Sequence, residues 1–270
     1  MNKINHDYLP KLLPEIDDIA RSAGNEILKI YKTDFSVTNK EDNSPLTVAD
    51  TAANEVICKN LSMLTPEIPV LSEESSHIDF SERKNWKQYW LVDPLDGTRE
   101  FIKKNDEFTV NIALIDGYQS VLGVVHVPVI GTSYLATINN GAYKDDKKNK
   151  MEKISVRKIN KNDITIAGSR SHENKRQQSF ISKIKNATVL SVGSSKKFCL
   201  VAEGKADIYP RFGSTSEWDT AAAQCIVEES GGKVIDENLN PIKYNTKSSL
   251  INPSFFVIAD MSFNWGKFIT

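Results

Sequence analysis

Apolar residues recur along this chain with two alternating periods. Leu12, Leu13, Ile16, Ile19, Ala23, Ile27 and Ile30 recur at helical spacing and predict a long N-terminal helix. After Pro45, Thr47 to Leu64 reads as a second helix with Asp50 in its first turn. The spacing then tightens. Ile68 to Leu71 predicts a short strand delivering Glu73 and Glu74, and Tyr89 to Val92 is an unbroken apolar run of the kind found in buried strands. Phe108 to Ile115 and Val121 to Val127, joined through Asp116, Gly117 and Tyr118, predict an antiparallel pair. Further on, strands at Ile164 to Ala167 and Ala187 to Val192 end in GSRSH and GSSKKF. Phe198 to Glu203 reads as a helix closed by Gly204, and Ala206 to Tyr209 as a strand leading into PRFG. Glu217, Trp218 and Asp219 open a helix of small and apolar residues, AAAQCIVEE, that stops at Gly231 and Gly232 before the strand KVID. Helices and strands interleave throughout, which predicts a layered α/β protein. The polar run KDDKKNK, Lys144 to Lys150, marks either a solvated hairpin tip or a boundary. Taken as a boundary, it divides an N-terminal α+β part, 1–150, from a C-terminal α/β part, 151–270.

Composition narrows the function classes. The 270 residues are 40% hydrophobic and 26% charged, enough for a full core in one large domain or two packed ones. Basic and acidic residues balance at a net charge of -1, so there is no bulk electrostatic footprint for nucleic acid or a membrane surface. Any bound anion must be held locally. Cys58, Cys199 and Cys225 are odd in number and lack metal-ligand spacing, which predicts reduced thiols in a cytoplasm. The first residues, broken by charges and prolines, form neither a signal peptide nor a spanning helix.

The chemistry concentrates in WLVDPLDGTREFI, Trp90 to Ile102. A buried strand ends in Asp93 and Asp96, where the chain is expected to turn, and Gly97 lets the backbone approach an anion. Amides at the start of the next helix suit a phosphate oxygen. Glu73, Asp93, Asp96 and Asp219 come from separate segments without sequence-local basic partners, and brought together they would repel unless protonated or bridged by cations. With the Leu95 carbonyl they make an all-oxygen ligand set, which suits Mg²⁺, with Mn²⁺ as a substitute. Two such ions about 4 Å apart activate water and stabilise a leaving oxygen in phosphate-ester hydrolysis. Plainer readings stand beside this one: DPLDG as a surface turn, Glu73 and Glu74 as solvated acids, Asp219 as a helix cap. His172, within GSRSH, is either a substrate contact or a surface histidine. His6, His77 and His126 show no ligand spacing, and no nucleophile elbow is present.

VADTAANEVI, PVLSEES, WLVDPLDGTREFI and EWDTAAAQCIVEESGG together resemble the lithium-sensitive, magnesium-dependent phosphatases of the inositol monophosphatase family, over nearly the whole chain. Within it, the segments GSRSH, GSSKKFCLVAEGKADIYPRFG and WDTAAA are most similar to the CysQ-type 3'(2'),5'-bisphosphate nucleotidases. The resemblance implies an αβαβα sandwich of the inositol monophosphatase and fructose-1,6-bisphosphatase type. It also implies two or three Mg²⁺ ions held by Glu73, Asp93, Leu95, Asp96 and Asp219. Gly97 and Thr98 become phosphate-binding amides with Arg99 beside them, and Asp50 and Thr98 the pair that deprotonates the attacking water. Glu73 belongs to both the catalytic and metal sets; Glu73, Asp96 and Asp219 also face the substrate, and Glu74 supports them.

The implied substrate is adenosine 3',5'-bisphosphate, hydrolysed at its 3'-phosphate to AMP. Ser169, Arg170, Ser171, His172, Ser194, Ser195, Lys197 and Arg211 offer hydroxyl and cationic partners for the second phosphate and the purine. The alternatives are an inositol or sugar phosphate monophosphatase and, from another class, a non-catalytic binding partner of the transcription machinery. Lys196 and Glu217 depart from the family pattern. By resemblance the protein is a monomer or homodimer without an integral membrane segment, compatible with peripheral association at the inner face of the cell membrane.

Overall fold

A computed structural model describes residues 3–33, 37–39, 45–75, 77–149, 151–170 and 175–269. The chain begins with α1 (Leu9–Tyr31), a short ribbon of β1 (Val37–Asn39) and β2 (Pro45–Thr47), and α2 (Val48–Leu64). It continues through β3 (Val70–Ser72), α3 (Phe80–Arg83), β4 (Gln88–Asp96) and α4 (Thr98–Ile102). A meander follows of β5 (Thr109–Asp116), β6 (Gln119–Val127), β7 (Thr132–Thr137), β8 (Ala142–Asp145) and β9 (Glu152–Ile154). The remainder comprises β10 (Ile164–Ser169), α5 (Lys175–Ser182), β11 (Ala187–Val192), α6 (Lys196–Ala202) and β12 (Ile208–Arg211). Last come α7 (Ala221–Glu229), β13 (Lys233–Asp236), β14 (Phe255–Ile258) and α8 (Gly266–Ile269).

Two large sheets organise these elements. One has seven strands in the order β3-β4-β5-β6-β7-β8-β9, the other five in the order β11-β10-β12-β14-β13. Strand alternation sends residues to opposite faces, and in β4 Trp90 and Val92 join the apolar residues of α1 and α2 while Tyr89 and Leu91 join those of α6 and α7. The second sheet sends Val234, Phe255 and Val257 to that same middle layer and Ile208, Phe256 and Ile258 outward to Phe180 of α5 and Trp265. The layers are therefore α1 and α2, the seven-stranded sheet, α6 and α7, the five-stranded sheet, then α5 and α8: an αβαβα sandwich. The inner strands of both sheets are covered on both faces, which is why they read as apolar runs.

The periodic N-terminal stretch is α1, which presents Leu12, Ile16, Ala20, Ala23 and Ile27 to the first sheet. Thr47 caps α2 through a reciprocal box with Asp50, whose Oδ2 accepts from the Thr47 amide and hydroxyl, both at 2.7 Å. The polar run from Lys144 joins β8 to β9 as a hairpin tip, Lys150 lying outside the described residues. The first sheet thus runs on to Ile154, past the division expected at 150, because β9 completes the meander.

The middle layer is tightest where α7 crosses β6. A Cβ on Gly123 would lie 2.1 Å from the Ala222 carbonyl oxygen, so the strand and helix backbones are in direct contact. Gly123→Ala is expected to destabilise the protein by about 1–3 kcal/mol, the range for overpacking. Calorimetry should show a lowered Tm, and an unchanged Tm would mean that α7 is free to move off the sheet.

Candidate metal and phosphate site

The acids of β4 do not follow a finished strand; they lie within it. Asp93 pairs with Asn111 and Asp96 with Thr109, so three steps along β4 match two along β5. In a regular strand, residues three apart face opposite sides. The extra residue of this bulge restores the parity and lets both carboxylates face the middle layer, and Pro94 sits where a ladder donor is not required. The expected turn after Val92 is thus a bulge. Glu73 opens a single 3-10 turn directly after β3, which runs parallel to β4 with Ser72 opposite Val92, and so comes level with Asp93. Asp219 arrives from the far side, in the turn Glu217–Asp219 that leads into α7.

Carboxylate oxygens of Glu73, Asp93 and Asp219 lie within 4.8 Å of one another. Asp93 is 1% exposed. Burial, then Glu73, Asp96, Asp219 and Asp50, push its pKa well above the usual carboxylate range. Asp219 is raised too, by burial and by Asp96 and Glu73, against the opposing effects of the Ser216 amide and Arg211. The Ser216 amide donates to Asp219 Oδ2 at 2.9 Å, so the residue caps its turn and also presents a carboxylate to the cluster. Asp96 Oδ2 accepts from the Ser195 amide and hydroxyl, both at 2.6 Å. The Thr98 hydroxyl lies 3.3 Å from Asp50 Oδ1 and 3.3 Å from the Leu95 carbonyl oxygen. This donor set is entirely oxygen and fits a hard divalent cation such as Mg²⁺.

The cluster forms one end of a cleft of about 240 Å³. Leu95, Gly97, Thr98 and Arg99 line it on the side of the first sheet. Gly97 has φ +94°, and a Cβ there would lie 3.1 Å from the Glu107 carbonyl oxygen, so the turn into α4 requires glycine. Ser169, Ser194, Ser195, Lys197 and Arg211 line the opposite side. Lys197 is buried, donates to the Ser194 carbonyl at 2.6 Å and sits 5.3 Å from the Tyr209 ring centre. Burial lowers its pKa to about 8 even though Asp96 favours the charge. Arg211, also buried, donates from Nη2 to the Ser214 carbonyl and has no partner at Nε.

Some expectations fall elsewhere. Arg170 is not part of the cleft lining; it forms a two-point ion pair with Glu107, at 2.9 Å through both Nε and Nη2, and donates to the Ser191 carbonyl. Ser171 and His172 lie outside the described residues. Lys196 is half-buried at the start of α6, off the cleft, and Glu217 points into the protein interior. The sequence reading missed an aromatic wall of Phe198, Tyr209 and Phe255, with ring centres 5.4–5.8 Å apart. It also missed the buried Glu100, which lines the cleft. These residues read as ordinary strand and helix positions, and only their convergence distinguishes them.

The profile of the inositol monophosphatase family matches residues 12–260. The chain belongs to the inositol monophosphatase family. It is 45% identical over 268 residues to the 3'(2'),5'-bisphosphate nucleotidase CysQ of Buchnera aphidicola subsp. Acyrthosiphon pisum, covering 96% of this chain and 100% of that protein. The protein of the same name from Escherichia coli strain K12 is 44% identical over 248 residues, covering 91% and 99%. The crystal structure of CysQ from Bacteroides thetaiotaomicron superposes with a TM-score of 0.78 at 42% identity, covering 90% of this chain and 94% of that one. An inositol monophosphatase from Anabaena shares the fold at 22% identity, with a TM-score of 0.74 over 93% and 91%.

The raised carboxyls fix the sign of the pH dependence in chelator. Their folded pKa values exceed the unfolded ones, so their contribution to stability is full at low pH and is lost as pH rises through the folded values. Near neutral pH, Asp93→Asn relieves this repulsion while retaining an acceptor for the Leu95 amide, which donates to Asp93 Oδ1 at 3.1 Å. In EDTA at pH 7.5 the variant is expected to melt about 2–4 °C higher per kcal/mol of relief, and to lose the stabilisation that added Mg²⁺ gives the wild type. A variant that melts lower than wild type in EDTA would count against the cluster.

Proposed function

We propose that this chain is a Mg²⁺-dependent 3'(2'),5'-bisphosphate nucleotidase that removes the 3'-phosphate of adenosine 3',5'-bisphosphate, giving AMP and phosphate. The observation that carries the reading is the convergence of Glu73, Asp93 and Asp219 within 4.8 Å in a cleft that the buried Lys197 and Arg211 also line. Identity of 44–45% to the CysQ proteins over almost their whole length supports the substrate class. Glu73, Asp93, the Leu95 carbonyl, Asp96 and Asp219 would hold two ions, with Asp50 beside a third, weaker position. Bound there, Mg²⁺ supplies Lewis acidity and a water of lowered pKa.

The remaining work falls to the chain itself. Asp50, tied to Thr98 through the hydroxyl, orients the nucleophilic water and accepts its proton. Gly97 and Thr98 hold the scissile phosphate through backbone amides, with Arg99 at the rim. Ser195 steadies Asp96 by two hydrogen bonds and so keeps that carboxylate turned toward the cleft. Lys197 and Arg211 receive the second phosphate, and Ser169 borders it. Phe198, Tyr209 and Phe255 offer an apolar wall beside them. The three cysteines are free thiols, consistent with a cytoplasmic setting. Among the described residues no helix is long and apolar enough to cross a membrane.

In Mg²⁺, kcat/KM for adenosine 3',5'-bisphosphate should exceed that for inositol 1-phosphate by orders of magnitude. A preference for the inositol ester would overturn the substrate assignment, and inertness toward both would favour a non-catalytic binding protein. Lys197→Met should raise KM for the bisphosphate about tenfold, equivalent to roughly 1.4 kcal/mol, and alter KM for adenosine 3'-monophosphate much less. Wild-type KM for the bisphosphate should likewise climb above pH 8, where the buried ammonium gives up its proton. Equal effects of Lys197→Met on the two nucleotides would remove it from the second-phosphate site.

A further inference from the structure

Glu217, two residues before a proposed metal ligand, is only 2% exposed and does not line the cleft. Its Oε2 accepts the Asn245 amide at 2.9 Å. Asn245 in turn grips Arg83, the last residue of α3: Asn245 Nδ2 donates to the Arg83 carbonyl at 2.6 Å, and Arg83 Nη1 donates to Asn245 Oδ1 at 2.5 Å. Arg83 is 1% exposed, and its Nη2 donates to the Lys247 and Ser248 carbonyls. The chain then returns to the turn that holds Asp219. The Glu217 amide donates to the Leu250 carbonyl at 2.8 Å, and Asn252 donates through Nδ2 to the Ser216 carbonyl at 2.7 Å and through its amide to the Thr215 carbonyl at 2.8 Å.

Residues 245–252 are therefore a strap. At one end they hold α3, which follows the Glu73 turn closely in the chain. At the other they hold the turn carrying Asp219. The buried guanidinium of Arg83 and the buried carboxylate of Glu217 meet through Asn245, so each charge has a partner or a hydrogen-bonded intermediary inside the protein. We propose that Arg83, Asn245 and Glu217 are positioning residues for the metal site, holding the Asp219 turn against the Glu73 segment despite the repulsion between their carboxylates. The proposal rests on the reading of Glu73, Asp93 and Asp219 as ion ligands. Its physical basis is that Mg²⁺ accepts only narrow ligand geometry, so a ligand turn that drifts loses affinity before the fold is lost.

The test measures Mn²⁺ binding to the whole protein from the free-ion EPR signal, at a temperature where circular dichroism shows each variant folded. Asn245→Ala should weaken Mn²⁺ binding about tenfold or more and should add nothing further in an Asp219→Ala background. Glu217→Gln keeps volume and an acceptor for the Asn245 amide; it should fold where Asn245→Ala fails and weaken binding to a smaller extent. Wild-type Mn²⁺ affinity in both variants, with only Tm reduced, would overturn the positioning role and leave the strap as ordinary packing. Full additivity of Asn245→Ala with Asp219→Ala would overturn it too. If Asp219→Ala alone leaves Mn²⁺ binding intact, the ligand assignment fails, a result distinct from failure of the strap.

Discussion

Bringing like charges together inside a protein is the constraint on which this structure turns. Asp93 is buried with Glu73, Asp96, Asp219 and Asp50 all raising its proton affinity. Left to itself such a group would spread apart or take up protons. Each acid is instead anchored by backbone that has other reasons to be where it is. Asp93 and Asp96 are fixed by the β5 ladder, Glu73 by the parallel pairing of β3 with β4, Asp219 by its cap and by α7 pressed against Gly123. The carboxylates are presented, and their repulsion is absorbed by scaffold packed for its own stability.

The two sheets divide the work around this cluster. The seven-stranded sheet supplies Asp93 and Asp96 and, through the turn after β3, Glu73, with Asp50 coming from α2 and Asp219 from the turn before α7, while the five-stranded sheet and α6 supply the cationic and aromatic wall. Anion affinity is therefore local, in keeping with a chain whose net charge is -1. Lys197 and Arg211 remain buried beside Tyr209 and Phe255, where a phosphate meets less screening than on the surface. Glu100 and Glu107 lie on the same flank and limit the net positive charge there, one from within the cleft and one by holding Arg170.

Much of this was legible in the residue pattern because the decisive signals are local. Helical spacing in α1, the Thr47 and Asp50 pair opening α2, and the apolar runs of β4, β5 and β6 each depend on neighbours in sequence. The acids could be nominated together because each adjoins an apolar run that marks its own strand or helix. The bulge at Pro94 was not legible: a proline after a strand reads as a turn, and only pairing with β5 shows that the ladder resumes at Asp96. The ion pair of Arg170 was not legible either, because its partner Glu107 lies 63 residues away. Residues 245–252 have no periodicity, and what they do lies entirely in hydrogen bonds to distant segments.

The strap also imposes an order on biosynthesis. Glu73, Asp93 and Asp96 emerge from the ribosome first, Asp219 much later, and the residues that clamp its turn later still. On the proposed ligand assignment, a nascent chain that has made only the first sheet would carry Glu73, Asp93 and Asp96 without Asp219, and so an incomplete chelate. Cation capture would then come late, after the turn carrying Asp219 has docked.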